Sequence, residues 1–101
     1  DLADAHLKAL EKLNHMKGAH FCNLGTGTGT SVFEIIKSIE KVTGKLVGYD
    51  IEGRRAGDPP ALVADPSYAK ELIGWSARYD LNDIIEHAAR WQEKLRKDIL
   101  K

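Results

Sequence analysis

A mixed α/β chain, mostly helical with a few short strands, is predicted by three features of the 101 residues. Four segments carry apolar residues at helical spacing, three short apolar runs lie between them, and glycine or proline punctuates most boundaries. The first helix is predicted over residues 1–15, where Leu2, Ala3, Leu7, Leu10, Leu13 and Met16 recur at helical intervals and Gly18 supplies the stop. His20 to Leu24 is an apolar run ahead of a glycine cluster, as expected of a buried strand. Ser31 caps the second helix, and Glu34 three residues on completes a capping box. Val32, Ile35, Ile36, Ile39 and Val42 mark the buried side of that helix, and Gly44 closes it. Leu46 to Ile51 and Ala61 to Ala64 are the other strand candidates, separated by a polar loop in which Pro59 and Pro60 forbid helix. Asp65 before Pro66 opens a short helix that Gly74 terminates. Asp80 caps the last helix, over 81–97, with Leu81, Ile84, Ile85, Ala88, Trp91 and Leu95 on its apolar side. Two or three short strands make a poor sheet by themselves, so the helical faces are expected to pack on something outside this chain.

Fifteen basic residues balance fifteen acidic ones. That balance argues against the broad positive footprint of a nucleic-acid binder. No apolar run approaches the roughly 20 residues a membrane span needs, and the acidic start Asp1-Leu2-Ala3-Asp4 is unlike a signal peptide. The first residue is not Met, which points to a trimmed start or a longer parent chain. Cys22 is the one cysteine, excluding an intrachain disulfide and a cysteine zinc site, so a reducing, cytoplasmic setting is expected. Within its apolar run Cys22 is read as a buried, inert thiol. His6 and His15 have no second ligand at metal spacing, His20 is expected at a strand end, and His87 beside Glu86 and Arg90 reads as surface. Trp75 and Trp91 are expected in packing roles.

The run Gly25-Thr26-Gly27-Thr28-Gly29-Thr30 between a strand candidate and a helix invites a dinucleotide-binding reading, with Asp50 near the position of a ribose-binding carboxylate. The spacing fails. The fingerprint needs G-x-G-x-x-G, whereas this loop reads G-x-G-x-G with Thr30 in the last place, and no Gly-Lys-Ser/Thr follows for a phosphate loop. A tight connector is the favoured reading. A pyrophosphate cradle and a close approach to some other ligand or domain stay open.

Asp1-Leu2-Ala3-Asp4-Ala5-His6, Asn23-Leu24-Gly25-Thr26-Gly27-Thr28-Gly29-Thr30-Ser31-Val32, Arg54-Arg55-Ala56-Gly57-Asp58 and Leu72-Ile73-Gly74-Trp75 follow one another in fixed order. This series resembles the C-terminal part of the UDP-glucose 4-epimerases, members of the extended short-chain dehydrogenase/reductase group. The Asn-Leu-Gly-Thr-Gly stretch recurs in several nucleotide-sugar enzymes; the Arg-Arg-x-Gly-Asp loop is more specific. The resemblance implies that 1–101 is the C-terminal, UDP-sugar-binding portion of such an enzyme, without the N-terminal Rossmann domain that holds NAD. It implies UDP-hexose as ligand, that missing domain as partner, and a homodimeric parent in galactose metabolism. It also implies that Arg55 meets the diphosphate, Asp58 the uridine ribose hydroxyls, and Val32 the uracil pocket. Leu62 stands where some family members carry an aromatic residue touching the ligand, which is a departure from the pattern. The family's catalytic Tyr-x-x-x-Lys pair is not in these residues, since Tyr49, Tyr68 and Tyr79 are followed four places on by Gly53, Leu72 and Asp83. The chain by itself is therefore expected not to catalyse epimerisation.

The same residues carry plainer readings. Arg54, Arg55 and Asp58 make a self-paired polar loop as readily as a ligand grip. Asp80 and Asp83 are better read as helix caps than as acid–base groups. The substrate portion of another nucleotide-sugar epimerase, dehydratase or decarboxylase, or a non-catalytic binding module, fits the resemblance in coarser form.

Overall fold

The computed structural model describes residues 1–99, which form helices α1 (Leu2–Lys12), α2 (Val32–Thr43), α3 (Ser67–Ile73) and α4 (Leu81–Ile99). A 3₁₀ turn, Leu13–His15, extends α1 and accounts for the longer helix expected there. No strand occurs among the described residues, which corrects the expectation for His20–Leu24, Leu46–Ile51 and Ala61–Ala64. A strand exists only as one side of a ladder, and none of these three segments finds another to pair with. The chain divides into two compact units, Asp1–Gly29 with Pro60–Arg78, and Thr30–Pro59 with Tyr79 onward.

The first unit is built on Trp75, which is 1% exposed and packs with the buried Ala5, Ala69 and Ile73. Ala9, Met16, Cys22, Leu24, Leu72 and Ala77 close around them. Cys22 is thus half-buried against this core. Small residues at Ala5 and Ala69 let α1 and α3 approach, and the indole fills the space beside them. Polar bonds pin the arrangement. Trp75 Nε1 donates to the Asp1 carbonyl at 2.9 Å, the Asp1 carboxylate accepts from the Arg78 amide at 3.2 Å, and Lys8 Nζ donates to the Gly74 carbonyl. Helix α3 begins at Ser67, whose amide donates to Asp65 Oδ1 at 3.0 Å. The cap therefore sits one residue earlier relative to the helix than the Asp65-Pro66 pattern implied. Gly74 ends α3 in the left-handed region at φ 69°.

In the second unit α2 packs against α4. Ser31 accepts from the Glu34 amide at 3.1 Å while the Glu34 carboxylate accepts from the Ser31 amide, so the capping box forms as expected. Asp80 and Asp83 do the same for α4: each carboxylate accepts the other's amide, at 3.2 and 2.9 Å. Ser38 is the buried side chain of α2, and its hydroxyl donates to Asn82 Oδ1 at 2.7 Å across the helix pair. No apolar residue among the described residues of this unit reaches the buried class. Val32, Ile84 and Trp91, expected on buried faces, are exposed, and Trp91 lies under the Lys94 ammonium. In α2 and α4 the expected faces are only partly covered, with Ile36, Ile39, Val42, Ile85 and Leu95 half-buried, whereas in α1 and its 3₁₀ extension Leu2, Leu7, Leu10 and Leu13 are exposed and Ala5 is the buried residue.

Candidate functional site

The segment from Lys45 to Pro60 has no regular element, and its last part folds as a turn on which Arg55 and Asp58 meet. The Asp58 amide donates to the Arg55 carbonyl at 3.3 Å, and Gly57 between them has φ 87°. Positive φ at the third turn residue is the requirement of a type II turn, which glycine meets without a Cβ clash. Pro59 and Pro60 then hold the outgoing backbone at fixed φ. On this frame Arg55 Nε donates to Asp58 Oδ2 at 3.2 Å and Nη2 donates to Oδ1 at 3.0 Å. The pairing is fork to fork, and neither bond uses Nη1. With the side chains 83% and 51% exposed, water and salt screen the pair, which contributes about 0–1 kcal/mol to stability.

Val32 is the first residue of α2, 70% exposed, directly after the Ser31–Glu34 box that fixes the start of the helix. The box holds the Glu34 carboxyl below its ordinary range, first through the Ser31 amide and then through the Ser31 hydroxyl. Tyr49 packs edge-on against Phe33, with ring centroids 5.7 Å apart, and ties the beginning of the irregular segment to α2. Leu62 belongs to the other unit and is 88% exposed. The structure therefore joins Arg55 to Asp58 and sets Val32 in the same unit, while Leu62 lies outside it. The charge pair was legible as Arg-x-x-Asp around a glycine.

The glycine loop settles differently. A Cβ on Gly25 would stand 2.9 Å from the Ala64 Cβ, and one on Gly29 would stand 3.0 Å from Val63 Cγ2. Gly27 has φ 78° and lies beside the Pro66 ring. The close approach that these glycines permit is made by this chain's own 63–66 segment, as a tight connector requires. Sequence reading missed that partner; the small Ala64 opposite a glycine was its only trace. Asp50 is exposed in the irregular segment. His20, with no strand to end, is held by its own surroundings: its imidazole bonds the Lys17 carbonyl at 2.8 Å and the Tyr68 hydroxyl at 3.4 Å. No group of three or more His, Cys, Asp or Glu residues is placed to hold a metal ion among the described residues. No helix among them is long and apolar enough to cross a membrane.

No family model matches the chain. Curated relatives do. The UDP-glucose 4-epimerase of Bacillus subtilis is 49% identical over 92 residues, covering 91% of this chain and 27% of that protein. The human UDP-glucose 4-epimerase is 44% identical over 94 residues, covering 93% of this chain and again 27% of the relative. The chain thus spans about a quarter of the length of the curated relatives it matches. Among solved structures, UDP-glucose 4-epimerase from Bifidobacterium longum in complex with NAD+ and UDP matches with a TM-score of 0.80 at 39% identity, over 92% of this chain and 28% of that one. In sequence and in fold, the chain belongs with the UDP-glucose 4-epimerases and corresponds to their C-terminal part.

Proposed function

We propose that this chain is the UDP-gripping, substrate-side portion of an NAD-dependent enzyme that interconverts UDP-glucose and UDP-galactose. The observation that carries this reading is the likeness to the Bifidobacterium longum enzyme, whose structure holds both NAD+ and UDP. Arg55 donates to the diphosphate, Asp58 accepts from the uridine ribose hydroxyls, Val32 walls the uracil, and Leu62 is a further apolar contact for the ligand. The residue chemistry suits these parts. A guanidinium matches phosphate oxygens with paired donors, and an ionised carboxylate accepts from sugar hydroxyls. Val32 and Leu62 are exposed apolar side chains, available to a uracil or sugar face.

NAD, bound by a separate Rossmann domain, supplies the hydride acceptor and donor; the residues of this chain bind and orient the substrate and close over it. Catalysis belongs to a Tyr-x-x-x-Lys pair outside these 101 residues. The working enzyme is a cytoplasmic homodimer of galactose metabolism. The test is calorimetry of UDP binding to the full-length enzyme and to its Arg55→Ala variant. Removing the guanidinium should weaken UDP by about 1.5–3 kcal/mol, on the order of ten- to a hundredfold. Equal affinity of the two proteins would remove Arg55 from the site.

A further inference from the structure

We propose that Asp58 is also a positioning residue: it holds the Arg55 guanidinium by its inner edge so that the outer edge is presented to the diphosphate. This rests on the reading above that Arg55 binds that group. The geometry supplies the argument. Asp58 engages one N–H on Nε and one on Nη2, at 3.2 and 3.0 Å. Two parallel bonds fix the plane of the guanidinium as well as its position. One N–H of Nη1 and the second on Nη2 stay available side by side on the end-on edge, where a phosphate accepts two bonds.

The frame is constrained within the turn and after it. The Arg55–Asp58 turn is closed by its own backbone bond at Gly57 with φ 87°, and Pro59 and Pro60 follow. An arginine on an open loop otherwise surrenders its rotamer freedom when the ligand arrives. Here the carboxylate already favours the ordered rotamer before the ligand arrives. Each Asp58 oxygen keeps a free lone pair, so this role and acceptance from ribose hydroxyls are compatible.

The experiment is a double-mutant cycle in the full-length enzyme, with Asp58→Ala, Arg55→Ala and the pair, titrated with UDP and with uridine. Uridine lacks the diphosphate, so it reports the ribose role alone and confirms that each variant is folded. The expected result is that D58A weakens UDP about two- to fivefold more than it weakens uridine, the most that a pair worth up to about 1 kcal/mol can supply. In the R55A background that excess should vanish, leaving only the loss seen with uridine. Equal losses for UDP and uridine, persisting undiminished without Arg55, would overturn the positioning role while leaving Arg55 at the diphosphate. Tighter UDP binding by D58A would overturn it too, by showing that the carboxylate competes with the ligand. If R55A leaves UDP affinity unchanged, the Arg55 assignment and this proposal fall together.

Discussion

At the scale of single residues, glycines and charges are governed by different distances. Gly18 and Gly25 look alike in the sequence, yet a Cβ at Gly18 meets nothing within 4 Å, whereas at Gly25 it meets Ala64 at 2.9 Å. Gly25→Ala is therefore expected to cost about 1–3 kcal/mol by overpacking a contact that backbone cannot easily yield. Gly18→Ala, at φ 73°, is expected to cost about 1–2 kcal/mol through backbone strain alone. Urea unfolding midpoints for the two variants check the comparison. A further substitution separates them: Ala64→Gly should partly rescue Gly25→Ala and leave Gly18→Ala unaffected. Glu34 carries a pH dependence. Its folded-state carboxyl lies below the ordinary value of 4.5, so the capping box contributes above that pH and its contribution is lost as pH falls through the depressed folded value. Glu34→Gln should flatten the acid limb of a stability–pH curve below about pH 4.5; an unchanged limb would mean the box titrates without consequence.

At the scale of elements, each helix was legible because its signals are local. Ser31 with Glu34, Asp80 with Asp83, Gly44 and Gly74 act within one turn of the residues they terminate, and the structure uses all of them. Ser31→Ala should cost about 1 kcal/mol by orphaning the Glu34 amide, measured as a lower urea midpoint. Strands were misread for the opposite reason. An apolar run such as Leu46–Ile51 states that residues avoid water, not that a partner strand exists to take their hydrogen bonds. Helix α3, with only seven residues, is too short to hold itself and depends on the core at its end. Trp75→Ala should therefore cost about 3–5 kcal/mol and melt α3, whereas Trp75→Phe should lose chiefly the bond to the Asp1 carbonyl, about 1 kcal/mol. Circular dichroism during urea unfolding distinguishes the two; equal losses would shift the weight from the indole's volume to its N–H.

At the scale of the whole molecule the two units differ in how much they bury. The first has a core around Trp75; the second has Ser38 bonded to Asn82 and no fully buried apolar side chain among its described residues. Burial is the main term opposing chain entropy, so the second unit is the weaker one. In hydrogen exchange on the isolated chain, the amides of α2 and α4 should exchange faster than those of α1 and α3. Slower exchange in α2 and α4 would show that their partial packing is sufficient. If the exposed Ile84 and Trp91 are covered in the full-length enzyme, the same amides should gain protection there.

Legible from the residues alone were the helices with most of their caps, the polar loop that Pro59 and Pro60 keep from being helical, and, through ordered motifs, the likeness to the C-terminal part of the epimerases. These are properties of neighbouring residues, or of the order of motifs along the chain, and need no knowledge of what lies opposite. The folded structure was needed to show that the glycine loop packs on Val63 and Ala64, that no apolar run among the described residues pairs as a strand, and that the Arg55–Asp58 pair is a two-bond fork. The glycine-loop contact joins stretches far apart in the sequence, and a strand is absent only when every candidate partner has been placed. The Arg55 fork depends on the path of one turn, set by a positive φ that the letters Ala-Gly permit but do not impose.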